Sequence, residues 1–313
     1  MRIVFCGTPD FAVPTLKGLA AEAGFTIEAV ITQPDRPRGR GKEVAASAVK
    51  EAALEAGLYV YQPEKIKSDS AFDFFKRVLP DAVVIIAYGQ IVPPRLIEIP
   101  RLGWINLHAS LLPKYRGAAP INWAILNGET RTGLTTMQID AGLDSGPVLL
   151  QRVLDVGAEE AAPEVTQRMS EAGAPLVVET LRKLERGEIL PVPQDHAQAT
   201  SAPLLKKEHG RIDWSQNAPR IYNRVRGLQP WPGAYTSFRG QLCHVWGTPA
   251  DSPGDVPPPD SLGLIAKEGS QLYVWCGENT RLRLDEIQME GRKRLPARDF
   301  ANGARLKSGE SFT

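Results

Sequence analysis

The first two-thirds of the chain alternates short unbroken apolar runs with stretches in which apolar residues recur every three or four positions. Arg2–Phe5 predicts a buried strand ended by Gly7-Thr8-Pro9. A helix is expected to begin near Pro14, with Leu16, Leu19 and Ala20 on one face and Gly24 as its stop. Phe25–Thr32 reads as a second strand, and Val44–Ala56 as a helix closed by Gly57. Ala82–Ala87 has no polar position at all, as expected of a central strand covered on both faces. A further strand is expected at Trp104–Leu107. Strands alternating with helices predict right-handed crossovers and a Rossmann-like α/β domain built on a parallel sheet. From Pro163 to Glu188 the pattern is helical, and Pro175, which has no backbone donor, predicts two helices or a kink.

From Pro191 to Pro203 the periodicity disappears, and the stretch reads as a linker. Beyond it come short β-rich segments: Ala234–Phe238, Leu242–Trp246, Gly263–Ala266, Gln271–Cys276 and Arg281–Ile287, with a proline- and aspartate-rich loop at Thr248–Asp260. Such a series predicts a small OB-like β-barrel. The expected division is a Rossmann-like domain over 1–189, a linker over 190–208 and a barrel over 209–313.

Composition adds mainly exclusions. The chain has 313 residues, 42% of them hydrophobic and 23% charged, which suits two globular domains. No run approaches the roughly 18 to 20 apolar residues that span a bilayer, and Ile3–Cys6 is too short for a signal-peptide core. A cytoplasmic protein with no membrane partner is expected. Cys6, Cys243 and Cys276 form no CxxC pair and no metal-ligand spacing, so they read as reduced core residues and no metal is expected. The net charge of +1 announces no polyanionic partner. Its distribution is uneven: residues 1–205 hold 21 Lys+Arg and 24 Asp+Glu, and residues 206–313 hold 16 and 12. Chance and a nucleic-acid partner both account for that asymmetry.

Two clusters carry candidate chemistry. Asn106 and His108 stand two apart at the end of an expected strand, so both point to one face, at the edge where open α/β sheets bind ligands. By itself such a pair is more simply read as two hydrogen-bonded polar residues. Asp140-Ala141-Gly142-Leu143-Asp144-Ser145-Gly146-Pro147 is, by itself, a turn with solvated carboxylates. Two readings from other classes fare worse. The first turn, Gly7-Thr8-Pro9-Asp10-Phe11-Ala12, lacks the second and third glycines of a dinucleotide-binding fingerprint. A bare RNA-binding module leaves Asn106, His108 and Asp144 unexplained.

Taken together and in order, these residues resemble the formyltransferase family that uses 10-formyltetrahydrofolate. The resemblance runs through Gly7–Ala12, Asn106, His108, Ser110-Leu111-Leu112-Pro113, Tyr115-Arg116-Gly117, Ala118–Ile121, Asp144 and Arg226–Tyr235, and so covers nearly the whole chain. One departure is Ser145-Gly146-Pro147, where a threonine before the glycine and a non-proline after it are expected. The resemblance implies 10-formyltetrahydrofolate as co-substrate, with no metal. An amine would attack the formyl carbon, and Asn106 and a protonated His108 would donate to the oxygen that gathers negative charge. Asp144 would favour the imidazolium and fix the ring, or relay a proton from the amine through a water. It also implies that Ser110, Leu111, Leu112 and Pro113 line the folate site, with the pterin deeper, against Gln90, Ile91, Val92 and the loop from Asp140.

The choice of amine rests on Thr32–Lys42, where Arg36, Arg38, Arg40 and Lys42 place four cations in seven residues. A charge run is usually a solvated face, but flexible basic loops suit phosphate contacts. Family members that act on charged initiator tRNA have a comparable insertion, so these four residues are candidates for tRNA contact, with Met-tRNA the implied partner. Lys206 and Lys207 open a second basic set that continues through Arg211, Arg220, Arg224, Arg226 and Arg292–Arg294. Arg220, Arg224 and Arg226 are expected on one tRNA-facing helix face, and Trp231 and Trp246 in the core. The alternative is a related folate-dependent enzyme acting on a small amine or, as a hydrolase, on water. A monomer is expected.

Overall fold

The computed structural model describes residues 1–38, 43–251 and 261–313, and for Arg38 and Glu43 the backbone alone. Two compact units emerge. One comprises Met1–Pro120, Arg131–Asp155 and Val165–Pro203; the other comprises Ile121–Thr130, Val156–Glu164 and Leu204–Thr313. Among the described residues no helix is long and apolar enough to cross a membrane.

In the first unit, Arg2–Gly7 (β1) leads into Val13–Ala21 (α1), Thr26–Ile31 (β2), the hairpin strands Arg36–Arg38 (β3) and Glu43–Ala45 (β4), and Ala48–Glu55 (α2). Val60–Tyr61 (β5), Asp69–Val78 (α3), Ala82–Ile86 (β6), Pro94–Ile97 (α4) and Trp104–His108 (β7) follow. After Pro120–Leu126 (α5), the chain returns as Arg131–Gln138 (β8), Val148–Asp155 (β9) and Ala162–Glu185 (α6). The sheet order is β5-β2-β1-β6-β7-β8-β9. Pairing is parallel as far as β7 and antiparallel for β8 and β9. Every side chain of β6 is buried, as its unbroken apolar run requires. The chain order reverses between β1 and β6, where the following loops meet: Thr8 Oγ1 and Gln33 Nε2 both donate to Tyr88 O at 3.0 Å.

Three local expectations are corrected. The helix expected from Val44 starts at Ala48, because Ser47 caps it by accepting from Lys50 N, while Pro37 and Val44 pair in the β3–β4 hairpin. In α1 it is Thr15, Leu16 and Leu19 that are buried, and Ala20 is exposed. Two separate helices about Pro175, one of the two alternatives expected there, are not found: α6 runs through it as one 24-residue element. A proline inside a helix costs about 3 kcal/mol, and here Leu176, Val177 and Leu181 beside it are buried to 2% exposure or less, which offsets that cost.

In the second unit, Ala218–Gly227 (α7) is capped by Asn217 Oδ1 and followed by Tyr235–Phe238 (β10), Gln241–Ala250 (β11), Ile265–Glu268 (β12), Gln271–Trp275 (β13) and Arg281–Met289 (β14). Leu295–Pro296 (β15) and Ala297–Gly303 (α8), which the periodicity did not predict, complete it. The antiparallel order is β10-β11-β14-β13-β12, with β15 on β14. The two ends of that order are joined by the last residues of the chain. Phe312 bridges Phe238, the last residue of β10, and Ser311 bridges Leu264, just before β12. Four backbone bonds of 2.9–3.0 Å complete the seam: Ser237 N to Thr313 O, Thr313 N to Ser237 O, Phe312 N to Gly263 O and Ile265 N to Glu310 O. Gly263, at φ +78, leaves only 2.4 Å between an added Cβ and Phe312 O, so no other residue fits there. The sheet thus closes into the expected barrel-like form around Val245, Val274, Leu282, Ile287 and Phe312.

Candidate active site

His108 ends β7 and Asn106 lies two residues before it, so strand geometry puts both on one face. Asn106 is half-buried, and among the described residues its amide has no hydrogen-bond partner. His108 is 6% exposed. Its Nε2 lies 2.8 Å from Tyr115 O, an acceptor only, so Nε2 carries a proton. That leaves Nδ1, which lies 3.6 Å from Asp144 Oδ2.

Asp144 arrives on the β8–β9 loop with φ 48, a left-handed conformation that costs a non-glycine residue roughly 1–3 kcal/mol. The loop is fastened at several points. Asp144 Oδ2 accepts from Gly117 N at 2.8 Å, and Gln194 Nε2 donates to Asp144 O at 2.9 Å and to Gly146 O at 2.7 Å. Asp140 accepts from Gly142 N and from Ser145 Oγ, so the serine that departs from the family pattern ties the loop to itself.

The Ser110–Pro113 turn follows His108 directly. Ser110 is fully buried and its hydroxyl donates to Lys114 O at 2.6 Å. Thr135 on β8 donates to Ser110 O and accepts from Leu112 N, and Gln151 on β9 donates to Leu112 O. Leu111 lies against Gly133, where an added Cβ would sit 2.5 Å from Leu111 Cδ2. Leu112 is buried and Pro113 half-buried. Gln90 accepts from Ile66 N at 2.7 Å and donates to Glu64 O. Ile91 is 90% exposed, while Val92 is buried in the core. Near these loops, burial pushes the Cys6 thiol and the Tyr88 phenol well up, so neither supplies an anion at neutral pH.

The structure therefore brings Asn106, His108 and Asp144 into one unit, the last two within ion-pair distance. The sequence reading missed Thr135 and Gln151, and also Gln194 and Thr200, whose hydroxyl accepts from Tyr115 N at 2.8 Å. None of these four stands in a motif; only their partners reveal them.

The basic residues separate into exposed ones and ones committed to backbone carbonyls. Arg36 is exposed on β3, opposite Ala45, and Arg38 pairs with Glu43 along the backbone. Arg40 and Lys42 lie outside the described residues. Lys206 and Lys207 are exposed; the pKa of nearby His244 is lowered, mainly by burial and also by the charge of Lys207, against a hydrogen bond that its ring donates to the Ala234 backbone. The α7 arginines do not form the expected common face. Arg220 is exposed, but Arg226 is 7% exposed and donates to Gly157 O and Glu160 O, both at 3.1 Å, and to Asn223 Oδ1. Arg224 donates to His209 O. Burial lowers the pKa of both guanidiniums. Trp231, expected in the core, is 56% exposed, and half-buried Trp246 carries Arg294 over its ring at 3.9 Å.

A mixed α/β sheet with an Asn–His pair at a strand end, followed by an antiparallel barrel-like unit, is the architecture of a group-transfer enzyme of the formyl transferase type. Residues 1–181 match the formyl transferase family and residues 204–305 the formyl transferase C-terminal domain, so the chain belongs to the formyl transferase family. It is 55% identical to the methionyl-tRNA formyltransferase of Solibacter usitatus, over 100% of this chain and 98% of that one. It is 51% identical to that of Koribacter versatilis, with the same coverage of 100% and 98%. Among solved structures, the N-formyltransferase from Helicobacter canadensis in complex with folinic acid and dTDP-3-aminofucose shares the fold. The TM-score is 0.68 and the identity 15%, over 92% of this chain and 99% of that one.

Proposed function

We propose that this protein transfers the formyl group of 10-formyltetrahydrofolate to the amino group of methionyl initiator tRNA. Full-length relatives named for formylation of methionyl-tRNA support the substrates. The observation that carries the site is the His108–Asp144 pair beside the amide of Asn106, which among the described residues has no hydrogen-bond partner. In this reading the amine attacks the formyl carbon, and the bond from that carbon to N10 breaks. The amine nitrogen gives up a proton and N10 takes one. Because Nε2–H is committed to Tyr115 O, Nδ1 of His108 is the ring atom left to meet the developing oxyanion, and it donates there, together with the Asn106 amide, when the ring is protonated. Each such donor is worth roughly 2.7–4 kcal/mol when removed. Asp144 takes the proton of the amine, directly or through a water.

Ser110–Pro113, with Gln90–Val92 and Asp140, forms the folate side of the site. Arg36, Arg38, Arg40, Lys42, Lys206 and Lys207 meet the tRNA backbone, and the enzyme acts as a cytoplasmic monomer. Single-turnover transfer of labelled formyl to charged initiator tRNA, beside elongator Met-tRNA and a no-tRNA control, tests this. Labelling of initiator alone is expected, with His108→Ala and Asn106→Ala each slower by about 10² to 10³. Formate release without labelled tRNA would move the chain to a hydrolytic or small-amine branch.

A further inference from the structure

We propose that Gln194 is a positioning residue for Asp144, an inference that rests on the catalytic reading of the His108–Asp144 pair. Gln194 lies in the aperiodic stretch after α6, yet it is only 7% exposed. Its Oε1 accepts from Arg116 Nε at 3.1 Å and from Arg116 Nη2 at 2.7 Å. Its Nε2 donates to Asp144 O at 2.9 Å and to Gly146 O at 2.7 Å. An amide offers two acceptor sites and two donors, and all four are used. The orientation follows from the partners: a guanidinium only donates and a carbonyl only accepts, so a flipped amide would set like against like at both ends.

The residues it joins flank the pair from both sides. Arg116 stands between Tyr115, whose carbonyl holds His108 Nε2, and Gly117, whose N–H holds Asp144 Oδ2. Asp144 is itself in the left-handed region, at φ 48, a conformation that persists where the surroundings fix it. One buried amide therefore spans the two loops that set the 3.6 Å between His108 Nδ1 and Asp144 Oδ2. Gln194 touches no reacting atom in this arrangement. It acts through the spacing of the pair, and a misplacement of about 1 Å costs on the order of 10² in rate.

The test uses Gln194→Ala and Gln194→Glu; the second keeps an acceptor for Arg116 and loses the donors, and covers the case in which alanine does not fold. Single-turnover formyl transfer should fall by about 10- to 100-fold, with KM for both substrates moving less than about threefold. In an Asp144→Asn background the same change should cost no more than about twofold, because residues acting as one unit do not add. The chain has four histidines, so ¹⁵N-histidine NMR isolates the His108 ring, and its Nδ1 resonance should shift in both variants. Turnover within about threefold of the parent, or losses that multiply in the double variant, would overturn the proposal. If Asp144→Asn itself turns over normally, the catalytic reading fails instead, and an unmoved His108 resonance in the Gln194 variants would then remove the positioning role separately.

Discussion

Each unit is completed by a segment that comes late in its sequence, and the two segments work by different chemistry. Residues 194–202 secure the loop at 115–119 with polar groups: the Gln194 amide, the Thr200 hydroxyl, and backbone bonds from Arg116 N to Thr200 O and from Ala202 N to Arg116 O. Residues 310–313 close the barrel with ladder bonds and with Phe312, which is 2% exposed and has ring centroids 5.7 Å from both Trp214 and Phe238. Hydrogen bonds are directional and net little stability, whereas apolar burial contributes stability and little direction. The first segment should therefore govern geometry at the site, and the second the stability of its unit.

The largest effect should come from the apolar segment. Phe312→Ala is expected to cost about 3–5 kcal/mol, read from urea unfolding followed by tryptophan fluorescence. A loss below about 1 kcal/mol would mean that the seam is held by its backbone bonds alone. Thr200→Val, nearly the same in shape, removes the hydroxyl that accepts from Tyr115 N and should cost about 1 kcal/mol while slowing formyl transfer. Loss of stability with an unchanged rate would break the assignment of this segment to the site.

The smallest effect concerns Glu310. Its bonds from Arg239, then from Lys307 N, hold the carboxyl at about 2, below the ordinary 4.5. A depressed carboxyl contributes stability above its unfolded value and loses it as the pH falls through its folded value. The parent's urea midpoint should thus decline between about pH 4.5 and pH 2, and Glu310→Gln should flatten the curve in that window. Parallel curves would show that the Arg239 pair adds nothing to closure.

Legibility followed the range of the interactions. β1, β2, β6 and β7 announce themselves as apolar runs because their burial is a local property. Arg131–Gln138 does not, since Thr132, Thr135 and Thr136 are buried polar residues. Two of them are satisfied by partners far along the chain, Thr136 by Thr180 and Thr135 by Ser110. Asn106, His108 and Asp144 were visible as a motif. Gln194 was not, because its partners lie 48 to 78 residues away and a stretch rich in proline has no period to betray a buried amide. Arg226 misled for the same reason: its place on a basic helix is local information, whereas its carbonyl partners are more than 60 residues distant.

Those partners bear on how such enzymes can be recombined. Gly157 and Glu160 belong to the second unit although they precede Leu204 in the chain, as does Asn122, whose amide donates to Gly227 O at 2.7 Å. Gly227 itself lies tight against Ile125 and Leu126. A fragment cut at Leu204 would retain the barrel strands and the Arg226–Asn223 bond but take from the Arg226 guanidinium the carbonyls of Gly157 and Glu160. Swapping C-terminal regions between relatives should succeed when residues 121–130 and 156–164 travel with the transplant, so the heritable module is a discontinuous one.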